Sequence, residues 1–174
     1  MSGTVRIETK RLVLRQHVIE DADYLYTHFG TDENMFRYSG WNPYATPEMA
    51  RETVQHYIES YVDDFFFGWA IEADGGMVGT IGAYDYDADK SSVEIGISID
   101  REHWGMGYAT EAIKAVIAYL TRSKGIRVVK AWCASDNIGS MRALEKSGMK
   151  RVSMDKDALK IYGHSYDRLN YEYS

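Results

Sequence analysis

The chain is poor in cysteine and proline, and each scarcity excludes a class of protein. It holds one cysteine, Cys133, among 174 residues, so an internal disulfide framework is excluded. Its 5 histidines are scattered without C-x-x-C, H-x-H or H-E-x-x-H spacing, so we expect no zinc or other metal site. The 2 prolines, Pro43 and Pro47, share one loop, and the chain shows neither repeat nor low-complexity linker. We therefore expect one domain over residues 1–174.

Positive charge and long apolar runs are also scarce. Lys and Arg number 20 against 26 Asp and Glu, which gives a net charge of -6, whereas nucleic-acid binders are normally basic. The same balance disfavours an anionic membrane surface and favours a cationic partner. No apolar run approaches the roughly 20 residues that span a bilayer, and the N-terminus lacks the apolar stretch of a secretory signal. We expect a cytoplasmic protein that binds neither nucleic acid nor membrane.

A strand, two glycines and a helix follow one another in the middle of the chain. Residues 93–99 alternate in polarity, which predicts a strand with one apolar face and Glu94, Gly96 and Ser98 on the other. Gly105 and Gly107 come next, and residues 109–120 carry an apolar stripe at helical spacing. A helix N-terminus has unpaired N–H groups and a partial positive charge, and glycines before it let an anion approach. The segment predicts a phosphate cradle; the alternative is a plain reversal of the chain.

A second polar segment opens a later helix. Asn137 and Ser140 are three positions apart, so at a helix start they face the same way. Such a pair could hold the amides and thiol of a ligand. The alternative is that Asn137 only caps the helix and Ser140 is a bystander.

The other elements complete an α/β pattern. Residues 11–15, 66–72, 77–84 and 126–133 read as strands, and so do two runs around Gly163. Helices are predicted over residues 21–29, after Thr46 and Pro47, and up to Lys146, where Gly148 can end the last one. Strands and helices in this order predict a mixed sheet flanked by helices.

Taken together, these motifs resemble the GNAT superfamily of N-acetyltransferases. The resemblance rests on residues 94–112, followed by Asn137, Ser140 and the sequence Glu145-Lys146-x-Gly148. Residues 9–15 and the closing hairpin also resemble the branch that acetylates the N-termini of ribosomal proteins, so the match covers nearly the whole chain. It implies an α/β (α+β) fold with a mixed, mostly antiparallel sheet of about seven strands and about four flanking helices.

The resemblance further implies that the fourth and fifth strands diverge and that acetyl-CoA lies in the gap. The diphosphate would bind backbone N–H groups of the glycine loop, and the pantetheine arm would run along the preceding strand. Asn137 would bind the pantetheine, and Ser140 would lie near the sulfur. The implied cofactor-binding residues are Ile97, Ser98, Ile99, Trp104, Gly105, Met106, Gly107, Tyr108, Ala109, Thr110, Asn137 and Ser140.

Two positions depart from the usual superfamily pattern, and they bear on the catalytic residues. Glu102 stands where Gln or Arg is common, and we expect its carboxylate to point away from a diphosphate. Leu144 stands where a Tyr often protonates the leaving thiolate, which leaves Ser140 as a donor to the sulfur. Acetyl transfer also needs a base for the amine proton. Our first choice is Glu94; a solvated or salt-bridged glutamate is the alternative.

The resemblance implies direct transfer of an acetyl group to a primary amine in a ternary complex. A protein N-terminal α-amine is the first candidate, because its pKa of about 8 leaves more of it neutral than a lysine amine at about 10.4. The alternatives are a small amine (polyamine, amino acid or aminoglycoside) and a non-catalytic acetyl-CoA sensor. Aromatic residues at 41, 44, 65, 66, 84, 86 and 166, with the histidine at 164, suit an acceptor pocket as well as a core. An exposed strand of the last hairpin is a candidate for pairing in a homodimer.

Overall fold

An eight-stranded sheet with helices on both faces makes up the fold. The structure, a computed structural model, describes residues 2–174. Its strands are β1 (Ile7–Glu8), β2 (Leu12–Arg15), β3 (Phe67–Ala73), β4 (Gly76–Asp87), β5 (Ser92–Ile99), β6 (Val128–Ala134), β7 (Lys150–Ile161) and β8 (His164–Tyr173). Its α-helices are α1 (Asp21–Leu25), α2 (Glu33–Phe36), α3 (Pro47–Ser60), α4 (Tyr108–Arg122) and α5 (Ile138–Lys146). A π-helical turn at Tyr26–Gly30 follows α1, and a 3₁₀ turn at Arg101–His103 follows β5.

The strands lie in the order β1-β2-β3-β4-β5-β6-β8-β7. All neighbours are antiparallel except β5 and β6, which run parallel. That parallel pairing covers only Ser92, Val93 and Glu94, although β5 continues to Ile99. The sheet therefore splits beyond Glu94, as the predicted fold requires. Because the two-residue β1 adds a strand before the predicted first one, the split lies between the fifth and sixth strands of the observed count.

The helices cover the two faces of the sheet unequally. The apolar side of α4, including Ile113, Val116 and Leu120, packs in the main core against alternate residues of the strands. The other face meets α1 and α3 over its first half, where Leu25 and Val54 form a second cluster and the His17 ring reaches Thr80 of β4. The second half of that face, on β5, β6 and β8, carries half-buried polar and aromatic side chains.

Local signals in the sequence fix the start of α3 and both ends of α5. Thr46 caps α3 by accepting the Met49 N–H at 3.1 Å, with Pro47 as the first helical residue. Asn137 caps α5 in the same way, and Gly148 follows its end with a φ of 92°. These helix starts and stops are confirmed.

The helix predicted over residues 21–29 is wrong in its second half. The α-helix ends at Leu25, and the chain widens into the π-helical turn, in which the Thr31 N–H donates to the Tyr26 carbonyl at 3.1 Å. At the end of this turn the backbone of Gly30 passes so close to the Tyr44 carbonyl that a Cβ would overlap it, at 1.7 Å. The contact requires glycine at position 30, and helical periodicity reports neither this contact nor the wider turn.

Candidate functional site

The loop between β5 and α4 is held open at its two glycines. Gly105 and Gly107 have φ angles of 78° and 79°, in the left-handed region that favours glycine, and Gly107 is the residue before the first turn of α4. The Trp104 indole anchors the start of the loop by donating to the Ile99 carbonyl at 2.7 Å. The Trp104 backbone N–H donates to the Arg101 carbonyl at 3.3 Å, so this N–H of the predicted cradle is already engaged.

The remaining N–H groups of the loop can hold an anion. Within the described residues, the backbone N–H groups of residues 105–110 find no hydrogen-bond acceptor. They lie at the positive end of the 15-residue helix α4. A Cβ at Gly105 would meet nothing within 4 Å, so this side of the loop is open. The arrangement suits a ligand with several anionic oxygens, such as a diphosphate.

Two residues from the start of the chain brace this loop, and nothing in the sequence marks them for this role. The Arg11 guanidinium donates to the Met106 carbonyl at 2.7 Å and to the Glu111 carboxylate at 2.7 Å, and lies 4.8 Å from the Tyr108 ring centre. Thr9 also donates to Glu111, at 2.5 Å. Both residues belong to the segment 9–15, which carried part of the resemblance. The sequence pattern of that segment predicts only a strand and the turn before it, and it does not predict a contact with α4. The partner on α4 becomes visible only in the fold.

The split in the sheet lies next to the loop. Beyond Glu94, β5 pairs only with β4, so the edge of Ile97, Ser98 and Ile99 that faces β6 is left without a neighbouring strand. Asn137 and Ser140 lie after β6, at the start of α5. The structure thus places the predicted cofactor-binding residues of β5, the glycine loop and α5 around one split.

The Asn137 side chain is partly occupied by its own helix. Its Oδ1 accepts the Ser140 N–H at 3.3 Å, which is the capping interaction that we weighed as the alternative. Its amide nitrogen forms no hydrogen bond within residues 2–174, so a donor is left for a ligand. Leu144, at the position where the superfamily often has a phenol, is buried in the main core.

A polar surface borders the split on the face of the sheet that does not carry α4. We call this surface the open face and define it by Tyr84, Glu94, Gly96, Trp132 and Arg168. The Glu94 Oε1 lies 3.5 Å from the Arg168 Nη2, and the Arg168 guanidinium lies 4.9 Å from the Trp132 ring centre. Tyr84 is the cross-strand neighbour of Glu94, and its hydroxyl rests on Gly96, where a Cβ would come within 3.2 Å of it.

Charges and burial shift two ionisations on the open face. Burial raises the pKa of Glu94; the positive charge of Arg168 opposes this shift, and the negative charge of Asp85 adds to it. Burial and the Glu94 charge raise the pKa of Tyr84 to about 12, so its phenol stays protonated at neutral pH. A carboxylate with a raised pKa is a better proton acceptor than an exposed one, so Glu94 has the chemistry of a general base.

The aromatic residues considered for an acceptor pocket divide between the site and the rest of the protein. Tyr166 packs edge-on against Tyr38 beside the open face, 5.4 Å between ring centres, and Trp41 is exposed on the same loop as Tyr38. By contrast, Tyr44 is buried in the cluster under α3, and Phe65 stacks on Tyr86 at 4.3 Å. Only part of that list can therefore meet an acceptor.

Neither a reactive thiol nor a metal cluster accompanies these groups. Cys133 is buried, and burial raises the pKa of its thiol to about 11, so the sulfur is neutral at pH 7. Among residues 2–174, no set of three or more His, Cys, Asp and Glu side chains is placed to hold a metal ion. In the same part of the chain, no helix combines the length and the apolar character needed to cross a membrane.

Solved structures of acetyltransferases share this fold. RimL, a ribosomal alpha-N-protein acetyltransferase solved with coenzyme A, aligns with a TM-score of 0.88 at 20% identity, covering 97% of each chain. MccE, a microcin self-immunity acetyltransferase solved with acetyl-CoA and AMP, aligns with a TM-score of 0.84 at 17% identity, covering 95% of this chain and 93% of its own. At these identities the likeness establishes the fold, and it confirms the predicted fold class.

The family is established by sequence. The acetyltransferase (GNAT) domain matches residues 11–150, so the chain belongs to the GNAT family. YoaA, an uncharacterised N-acetyltransferase of Bacillus subtilis, is 31% identical over 163 residues, which cover 92% of this chain and 92% of that protein. The chain is an N-acetyltransferase, as the resemblance implied.

Proposed function

We propose that the protein transfers the acetyl group of acetyl-CoA to a protein N-terminal α-amine in a ternary complex. The observation that carries the proposal is the split between β5 and β6, which has the glycine loop at one end and Glu94 at its origin. A thioester cofactor in the split and an amine on the open face would meet beside β5.

The fit to acetyl-CoA follows from the donors around the split. The free N–H groups of residues 105–110 suit its diphosphate, and the unpaired edge of Ile97, Ser98 and Ile99 suits the amides of its pantetheine arm. Asn137 supplies an amide donor from the other side of the split. The cofactor-binding residues implied by the family are thus retained in the proposal, except that Trp104 contributes its indole anchor rather than its backbone N–H.

The chemistry needs few side chains. The neutral amine attacks the thioester carbon, a C–N bond forms and the C–S bond breaks. Glu94 takes the proton from the amine nitrogen, directly or through water. Backbone N–H groups on the free edge of β5 stabilise the developing oxyanion, and Ser140 donates a hydrogen bond to the leaving thiolate. Since thiols have a pKa of about 8.5, the thiolate leaves with modest help.

Two acceptors suit this transfer, a protein α-amine as the first candidate and a small-molecule amine as the second. RimL acts on a protein α-amine, and an α-amine is more often neutral than a lysine at pH 7. MccE, with the same fold, is named for self-immunity to a microcin and not for a protein N-terminus. A small-molecule amine is therefore the second candidate.

One panel of acceptors tests the proposal. The protein is incubated with acetyl-CoA and, in turn, a peptide with a free N-terminus, the same peptide with a blocked N-terminus and an internal lysine, a polyamine and an aminoglycoside. Released CoA thiol is measured, and mass spectrometry locates the acetyl group. We expect rapid CoA release and α-N-acetylation with the free peptide only. Faster acetylation of a small amine would replace the acceptor, and binding without release in every case would identify a sensor.

We propose also that residues 1–174 act as one domain, because β1 and β2 from the start of the chain and β7 and β8 from its end lie in the same sheet.

β7 is the edge strand and is exposed along almost its whole length, so a second copy of the chain would add to the sheet there in a homodimer. A cytoplasmic location stays a prediction.

A further inference from the structure

Arg168 is placed on the open face with most of its hydrogen-bonding capacity unused. Its side chain is 36% exposed, and the guanidinium lies 4.9 Å from the Trp132 ring centre. Among residues 2–174, its only ion-pair contact is the 3.5 Å approach of Nη2 to the Glu94 Oε1. Within residues 2–174 its buried Nε has no hydrogen-bond partner, and its other N–H groups form no hydrogen bond either.

Arg15, the other half-buried arginine among residues 2–174, shows the usual pattern. Arg15 donates through both terminal nitrogens to Asp21 at 2.9 Å, and its Nε lies 3.2 Å from Glu72. Arg11 is bonded to Met106 and Glu111. Buried polar atoms such as the Arg168 Nε are normally hydrogen-bonded, and a guanidinium offers five donors in all. Arg168 lies over the Trp132 ring, and within residues 2–174 its terminal N–H groups on the open face form no hydrogen bond.

We infer that Arg168 binds an oxygen of the acceptor, a carbonyl or carboxylate attached to the carbon that bears the amine. This inference rests on the proposed function, since it places the amine beside Glu94. In an α-amino carbonyl compound only two carbons separate the amine nitrogen from the oxygen, so Glu94 and its neighbour Arg168 can engage both ends. The planar fork of a guanidinium matches such an oxygen.

The inference selects a substrate class. Peptide N-termini and free amino acids carry the required oxygen, whereas a polyamine lacks it and brings a second positive charge that Arg168 repels. Peptides and free amino acids thus offer Arg168 the same kind of hydrogen-bond acceptor, an oxygen two carbons from the amine nitrogen. A peptide ending in a C-terminal amide offers only carbonyls, and a free amino acid offers a carboxylate, so the two can be tested separately.

The kinetic test compares Arg168→Gln with wild type and with the control Arg151→Gln, an exposed arginine of the same hairpin whose cross-strand neighbour Tyr171 lies in the main core. Loss of a charged hydrogen bond predicts a KM increase of about tenfold or more for the peptide amide or the amino acid. The KM of acetyl-CoA and of a simple alkylamine stays unchanged, and that of a diamine stays the same or falls. An unchanged KM for both oxygen-bearing acceptors, or an equal increase for the alkylamine, overturns the inference.

A binding test separates the inference from the proposed function. Wild type and Arg168→Gln, each saturated with CoA so that no turnover occurs, are titrated calorimetrically with the peptide amide and with the amino acid. Binding to wild type that weakens about tenfold in the variant supports the inference, even if no acceptor is acetylated. Equal affinities, or no binding to wild type, overturn it. CoA affinity and thermal unfolding of the variant, both expected to be unchanged, exclude a folding defect.

Discussion

Arg11 and Glu111, 100 positions apart in the sequence, are joined by a 2.7 Å contact between Nε and Oε1. The same guanidinium holds the Met106 carbonyl at 2.7 Å, so the turn before β2 braces the glycine loop from outside. Partial burial of Glu111 opposes ionisation, but hydrogen bonds from Thr9 and Arg11 lower its pKa. The carboxylate therefore stays charged near the N-terminus of α4, with a cation to balance it.

Arg11→Gln is expected to weaken CoA binding. The substitution releases the Met106 carbonyl and leaves the charge of Glu111 uncompensated beside the proposed diphosphate site. Loss of a charged hydrogen bond predicts an increase in the CoA Kd of about tenfold, measured by isothermal titration calorimetry. Arg6→Gln is the control, because within residues 2–174 Arg6 forms only an exposed pair with Glu8. If the two variants bind CoA equally well, the brace has no part in binding.

Glu94→Gln is expected to slow acetyl transfer while leaving CoA affinity unchanged. Removal of a general base predicts a loss in kcat of about 100-fold or more. Because burial raises the pKa of Glu94, the wild-type rate should fall on acidification through a pKa above the usual carboxyl value, and this limb should vanish in the variant.

The Arg168→Gln variant provides a second test of whether the acidic limb of the pH profile belongs to Glu94. The positive charge of Arg168 lowers the pKa of Glu94, so Arg168→Gln should move the acidic limb to higher pH. Arg151→Gln, which removes a positive charge of the same hairpin opposite the core residue Tyr171, is the control and should leave the profile in place. An acidic limb that persists in Glu94→Gln would assign the base to another group.

The parts of the site that the sequence predicts depend on local patterns. The alternation of β5, the two glycines and the caps of α3 and α5 each involve neighbours in the chain, so spacing and residue type suffice to find them. The resemblance added the split between the two strands that flank α4.

The missing parts depend on contacts between distant segments. Arg11 and Glu111, or Glu94 and Arg168, meet only after β2, α4, β5 and β8 have been assembled, and nothing near them in sequence marks the partner. The two-residue β1 is too short for any alternation to show. The π-helical turn after α1 ends at Gly30, which lies against the Tyr44 carbonyl of a loop farther along the chain.

Ser140→Ala is expected to lower kcat several-fold while the fold persists. Ser140 is proposed as one hydrogen-bond donor to a thiolate that already leaves readily, so the loss corresponds to about 1 kcal/mol. Steady-state kinetics with the preferred peptide measure it, and thermal unfolding checks the fold. An undiminished kcat would remove Ser140 from the catalytic residues.

Asn137 requires two substitutions, because it also caps α5. Asn137→Ala removes both the cap and the proposed pantetheine donor, and loss of the cap alone costs about 1 kcal/mol of stability. Asn137→Ser keeps a capping oxygen but loses the amide nitrogen. We expect Asn137→Ser to raise the KM of acetyl-CoA without lowering the melting temperature. Equal KM values in Asn137→Ser and wild type would confine Asn137 to capping.

Asp21→Asn is expected to destabilise the fold in a pH-dependent way. The buried carboxylate accepts two hydrogen bonds from Arg15 at 2.9 Å, one from His17 at 3.2 Å and one from the Val18 N–H at 3.0 Å. Burial opposes its ionisation, but the bonds from Arg15 and His17 hold the pKa well below its usual range. Breaking a buried pair of this kind costs about 3 kcal/mol.

The sign of the pH dependence follows from that lowered pKa. The stabilisation by Asp21 is fully present above the unfolded-state pKa of about 3.9 and is lost as the pH falls toward the folded-state value. Urea unfolding should therefore show the full difference between wild type and Asp21→Asn at pH 7 and a smaller one near about pH 3. Asp23→Asn, an exposed position on the same helix, should change stability by less than about 0.5 kcal/mol at either pH. A difference that stays constant with pH would mean that Asp21 stabilises the fold through packing rather than through its charge.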